Sequence, residues 1–191
     1  MNNSKNKQIL LATVLVLVAV ISRIINSEFH MWNFACVGAI SLFSGAVIKD
    51  KRFAFIVPLA AYFISDVYLQ MFYGTGFYGV SQLFVYGAMA MIVALGATMK
   101  TQNAGSVFGY SIGSSLLFFV VSNFGVWASS AVAPQGLQFY PATMEGLMSC
   151  FIAGIPFYKT TLAGDLIFSS VIFGAYQAIQ MYSKRFVTSA N

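Results

Sequence analysis

The first long stretch of this chain, ILLATVLVLVAVISRII at residues 9–25, is apolar for the length of a helix, and comparable runs recur along the sequence. That length constrains the fold. A helix needs about 20 apolar residues to cross the hydrocarbon core, whereas a barrel strand shows alternating segments of about ten. Repeating the longer unit points to an all-α bundle in lipid, where helices satisfy their backbone polar groups internally. Charge supports the same class. Five acids among 191 residues, and 8% charged residues overall, cannot solvate a globule of this size; soluble domains carry roughly a quarter. The expectation is an all-α integral membrane protein, a single transmembrane domain over residues 1–191, with no separate soluble catalytic unit.

Six spans can be laid out, at about 8–26, 33–48, 52–73, 79–99, 104–127 and 162–182. The basic start followed by an apolar run is signal-like, but no small-x-small cleavage site precedes the next polar turn, so it reads as a retained first helix. Between the last two spans lies PATMEGLMSCFIAGIPFYKTT. Its apolar part is about 12 residues, shorter than a span needs, so segment 143–158 reads as a short non-spanning helix in the outer loop. With that choice Lys5, Lys7, Lys49, Lys51, Arg52, Lys100, Lys184 and Arg185 fall on one side, leaving Lys159 as the exception. The positive-inside rule then places both termini in the cytoplasm. The net charge of +5 is topological on this reading, and no nucleic-acid partner is expected; the lipid bilayer is.

Among the acids, Asp66, Glu145 and Asp165 lie away from the inner ends and draw attention. Asp66 sits fourteen residues into the third span, about 20 Å along a helix, in its outer half. An acid at membrane depth faces the bundle interior or a cavity. It reads either as a ligand contact or as a carboxylate paired with Arg23. Asp165 and Glu145 each have a plain alternative as first-turn acids that complement a helix dipole. Asn123 in SNFGVW, with Trp32, Asn33, Tyr68, Trp127 and Tyr140, falls on the same outer side. An interfacial aromatic belt explains several of these aromatics, but less well why Asp66, Asn123 and Asp165 share that level; aromatic walls with a few convergent polar groups describe a small-molecule pocket. Gly105, Gly109 and Gly113 form a tandem GxxxG, which serves close packing within the chain or docking of a partner helix. Cys36 and Cys150 sit in apolar surroundings. His30 and Cys36 do not have metal-site spacing. No phosphate loop, HExxH or Ser/His/Asp set is present, so no enzyme and no cofactor is expected.

Three stretches carry a resemblance: NFACVGAISLFSGAVIKDKRFAFIVPLAAYFISDVYL, SNFGVWASS and GLMSCFIAGIPFYKTTLAGDLIFSSVIFGAY. Together, over residues 30–177, they resemble a bacterial family of small transport proteins related to the substrate-binding S components of energy-coupling-factor vitamin transporters. The resemblance implies a six-helix S-component-like bundle in the bacterial cytoplasmic membrane, with a vitamin-like small molecule bound near the outer face. It also implies a partner ATPase and scaffold module. Ala12 and Ala19 depart from the AxxxA spacing through which S components dock, which leaves a solitary transporter or another docking face open. Cys36 stands where relatives are expected to carry proline. By that resemblance a corrinoid such as cobalamin becomes the preferred substrate, with Cys36 or His30 as a metal contact only in that case. The expected function is therefore uptake of a vitamin-like molecule across the cytoplasmic membrane, oriented by Asp66, Asn123 and Asp165. The alternative is an accessory or structural subunit of a larger membrane complex.

Overall fold

The structure, a computed structural model, describes residues 2–29, 34, 36–133 and 139–189, with side chains between Ile9 and Tyr182. It consists of six helices: α1 Asn2–Glu28, α2 Val37–Val47, α3 Lys51–Tyr73, α4 Val80–Ala97, α5 Ala104–Ala131 and α6 Met144–Ser189. No strand occurs among the described residues.

Local chemistry explains several boundaries. The Asp50 carboxylate accepts the Arg52 backbone N–H at 2.9 Å and starts α3. Asn103 starts α5 in the same way, accepting the Ser106 N–H at 2.8 Å; short polar side chains at this position satisfy donors that the first turn leaves free. Gly74, at φ 69°, ends α3 in the left-handed conformation that glycine adopts at little cost. Pro58 lies inside α3 and has no N–H for the carbonyl four residues back. That carbonyl, on Ala54, instead accepts the Ser44 hydroxyl of α2 at 2.9 Å.

Five helices are long and apolar enough to cross a membrane: Ile9–Glu28 in α1, α3, α4, α5 and Met144–Tyr182 in α6. The expected second span over 33–48 does not reach that length. α2 has 11 residues, about 16 Å at 1.5 Å per residue, roughly half of a 30 Å hydrocarbon core. Nine of its residues are buried, and it packs on all five other helices. The expected short non-spanning helix at 143–158 also needs correction. Together with the last span it forms one 46-residue helix. The polar Lys159–Thr161 stretch between the two parts is accommodated within that helix. The Thr160 and Thr161 hydroxyls donate to the Pro156 and Phe157 carbonyls at 3.4 and 3.0 Å, the back-bonding open to threonine inside a helix. Lys159 therefore lies on the exposed side of a continuous helix, where its long stem can carry the ammonium toward the interface.

The contacts give the packing order. Arg23 near the end of α1 meets Asp66 near the end of α3, so these helices run parallel. Ser115 of α5 meets Asp165 of α6, and Gln177 donates to the Gln102 carbonyl, so α5 and α6 are antiparallel. Lys49, Lys51, Arg52 and Lys100 consequently gather at one end of the bundle, the basic end.

α2 and α4 touch through backbone. An added Cβ on Gly45 would fall 2.0 Å from the Val93 carbonyl oxygen, and one on Gly96 would fall 2.2 Å from that of Leu42. Small residues permit this approach, and the obstructing atoms are backbone, which cannot swing aside. Phe43 fills the other side of α2 against Phe173 and Tyr176, at ring-centroid distances of 5.1 and 5.3 Å. Gly45→Ala and Gly96→Ala should each lower stability by about 1–3 kcal/mol, the usual cost of overpacking. Thermal unfolding in detergent checks this, with Gly109→Ala unchanged because nothing lies within 4 Å of its added Cβ.

Candidate functional site

Asp66 lies fifteen positions after Lys51 in α3, about 22 Å along the helix, and is 0% exposed. Its Oδ1 accepts Arg23 Nη1 at 2.7 Å. Its Oδ2 accepts Gln82 Nε2 at 2.7 Å and the Tyr86 hydroxyl at 2.8 Å. Gln82 and Tyr86 are four apart on α4 and so share a face. Arg23 also donates to Ser65 Oγ at 2.5 Å and to the Tyr62 carbonyl at 3.0 Å. Its guanidinium carbon stands 3.6 Å from the Tyr62 ring centroid, a cation–π distance. The Arg23 pairing considered from sequence is present, and α1, α3 and α4 meet in it. Nearby, the Tyr73 hydroxyl donates to Glu28 and ties the ends of α1 and α3 again.

Removing one member of a buried ion pair strands the other, at about 3–5 kcal/mol, whereas replacing both with apolar side chains of similar volume is often neutral. Arg23→Met and Asp66→Asn should each lower the unfolding temperature sharply. The double variant Arg23→Met/Asp66→Leu should regain most of the loss, as read by thermal unfolding of the purified single and double variants.

Asp165 is in the middle of α6 and 2% exposed. The Ser115 hydroxyl of α5 lies 2.7 Å from its Oδ2. Asp165 Oδ1 lies against the first turn of α2: a Cβ on Gly38 would fall 2.3 Å from it. Cys36, at the N-cap, makes no side-chain capping bond, so the Asp165 carboxyl of α6 is the polar side chain set against that turn. Asp165 therefore does not act as a first-turn acid of its own helix; it serves the first turn of another. Among the described residues it has no salt-bridge partner. A helix N-terminus returns at most about 2 kcal/mol to a negative charge, while burying an isolated ion costs several kcal/mol.

The remaining sequence candidates fall elsewhere. Asn123 Nδ2 donates to the Phe119 carbonyl at 2.7 Å, and its side chain lies against Gly154 of α6. Trp127 Nε1 donates to the Pro141 carbonyl at 3.1 Å. Tyr140 is held through its backbone, its N–H donating to Ser130 Oγ at 2.7 Å. These three mark the α5–α6 end opposite the basic end. Tyr68 stacks on Phe72 with ring centroids 4.5 Å apart. Cys36 is enclosed, with Sγ 3.0 Å from Ser22 Oγ. Cys150 Sγ donates to the Asn123 carbonyl at 3.4 Å, and both cysteines are free thiols. Glu145 is exposed in the first turn of α6. Trp32, Asn33 and His30 lie outside the described residues.

Asp66, Asp165 and Asn123 thus occupy three polar environments with no hydrogen-bond partner in common among those described. Sequence reading missed Gln82, Tyr86 and Ser115. The signal available was Gln82–Tyr86, a polar pair at helical spacing inside an apolar run, and a similar Ser111–Ser115 pair. One groove of about 250 Å³ is apolar, lies between α1 and α3 near the basic end, and includes Ile9, Val16, Phe53 and Ile56; it contains none of these polar groups.

The model of DUF6580, a family of unknown function, matches residues 3–187. The chain belongs to this family. No curated protein and no solved structure matches the chain. The DUF6580 match covers the whole of α2 and of both buried acid sites.

Proposed function

We propose that this DUF6580 protein is a multi-pass uptake protein that binds a vitamin-like small molecule on its outer side and moves it across a bacterial cytoplasmic membrane. On this reading the basic end, with both termini, is cytoplasmic. The observation that carries the proposal is α2, a half-length helix enclosed by the bundle with its N-terminus met by an acid from α6. Discontinuous helices of this kind form solute sites near the midplane of transporters, and buried ionisable side chains mark solute and ion routes. The outer rim would be formed by Tyr68, Trp127 and Tyr140. Asp66, enclosed by its partners, would position α1 against that rim, and Asp165 would hold the start of α2.

The test is native mass spectrometry and absorbance of the protein purified from membranes, followed by binding to a panel of vitamins. A stoichiometric ligand, weakened at least tenfold by Trp127→Ala, is expected. Consistently empty protein with no binding across the panel overturns the reading. Within it, a corrinoid requires Cys36 to leave Ser22, and Cys36→Ala should then alter the cobalt spectrum; an unaltered spectrum removes that role.

A second reading, an accessory subunit of a larger membrane assembly, is favoured by the GxxxG stretch of α5. Gly105 and Gly109 are exposed, and no other part of the chain comes within 4 Å of an added Cβ on Gly109. Co-purification in fixed stoichiometry with non-transport membrane proteins would select this reading. Partners of the energy-coupling-factor type, an ATPase and its scaffold, would instead support uptake.

A further inference from the structure

The two core acids of this bundle are built differently. Asp66 has a guanidinium on one oxygen and two further donors on the other. Asp165 has one serine hydroxyl. The charged and titratable groups around Asp165 are few among the described residues. α5 presents Ser111, Ser114 and Ser115, none of which titrates in water. α2 presents Gly38 and Ala39, with Cys36 just before them as the ionisable group. On α6 itself, Lys159 is exposed while Asp165 is buried. Arg23, the nearby cation of α1, is engaged by Asp66.

Hydrogen accounting around Ser115 adds to the contrast. Its Oγ lies 2.7 Å from Asp165 Oδ2 and 3.0 Å from the Ser111 carbonyl oxygen. A hydroxyl has one hydrogen to give. Both contacts are hydrogen bonds if Asp165 Oδ2 carries a proton: Asp165 donates to Ser115, and Ser115 donates to Ser111. A neutral acid also removes the penalty of an uncompensated charge in the core.

The surroundings continue this polar track. Ser169 is one turn beyond Asp165 on the same face of α6, is 0% exposed, and its hydroxyl has no partner among the described residues. Ser111, Ser114, Ser41 and Ser44 are also fully buried. A run of hydroxyls is unusual in an apolar bundle, and an unpaired buried one calls for an explanation. Hydroxyls both donate and accept, which is what passing a proton requires.

We propose that Asp165 is a proton-binding site inside the bundle, neutral at neutral pH, which holds its hydrogen against the Ser115 hydroxyl. This deepens the uptake reading by supplying its proton-carrying group, and that role rests on the reading; the protonation itself does not.

Infrared spectra of the full chain in lipid, at neutral pH, test it directly. The chain has five acids, and Glu28, Asp50 and Glu145 are exposed, so a protonated-carboxyl C=O band is readily assigned. The expected result is such a band at neutral pH that shifts down in D2O and is lost in Asp165→Asn. Ser115→Ala keeps the acid and should move the band by removing its hydrogen-bond partner. This second variant decides the matter if Asp165→Asn does not fold. Absence of the band, its survival in Asp165→Asn, no shift in D2O, or an unmoved band in Ser115→Ala overturns the proposal. So does loss of the band on adding sodium or lithium chloride, which would mark a metal-cation site instead. A chain that shows the band yet binds no vitamin leaves the proton site standing and refutes the uptake reading alone.

Discussion

A helix of 11 residues has no independent existence in lipid. α2 depends on being enclosed, and above all on what meets its first turn. The N–H groups of that turn have no partner in their own helix, and water is not at hand in the middle of a bundle. Cys36 offers no cap; the Asp165 carboxyl, from a helix more than a hundred residues further along the chain, lies against that turn at Gly38. The backbone approach at Gly45 and Gly96 follows from the same enclosure, as does the use of Ser44 to satisfy the carbonyl that Pro58 leaves free. α3, α4, α5 and α6 are arranged around this short element, with α1 packed chiefly on α3.

The two acids show how one residue type serves different ends inside a membrane. Asp66 is compensated by charge and by geometry, and the cost of its burial is shared among Arg23, Gln82 and Tyr86. Asp165 has a helix end and a serine in place of a cation. The difference lies in the neighbours, since both carboxyl groups are equally removed from solvent. Candidate chemistry therefore attaches to the less well-compensated acid, although Asp66 is the more conspicuous one in the sequence.

Much of the bundle was legible in the residues. Long apolar runs gave the five helices of spanning length, and the Arg23–Asp66 partnership could be anticipated because a membrane carboxylate needs a counter-charge. α2 was harder to read. Hydropathy is uniform from Phe34 to Ile48, so nothing in it says that the helix starts only at Val37; that start depends on Asp165, a long-range contact. α6 was misread because the apolar part of 143–158 is too short for a span and the basic residues sort to one side only if it does not cross; its continuity with the last span, helped by threonine back-bonding at Thr160 and Thr161, is visible only in three dimensions. The outer-side candidates were grouped by depth alone. The sequence grouped Asp66, Asn123 and Asp165 at one depth, but in the fold Asp165 faces Ser115 while Asn123 faces Gly154, about 16 Å further along α6 at 1.5 Å per residue.

The pairing of Arg23 with Asp66 bridges 43 positions of sequence, and this bears on how the chain enters the membrane. α1 precedes α3 out of the ribosome, so its arginine must wait without a counter-ion while two further segments are made. Arg23 lies five residues before the end of α1, close enough for a long side chain to reach the headgroups in the meantime. When α3 arrives, the guanidinium is drawn back between the helices. Closure of this pair thus draws α1 onto α3 across the intervening α2, and a chain lacking either partner would hold those two helices together less firmly.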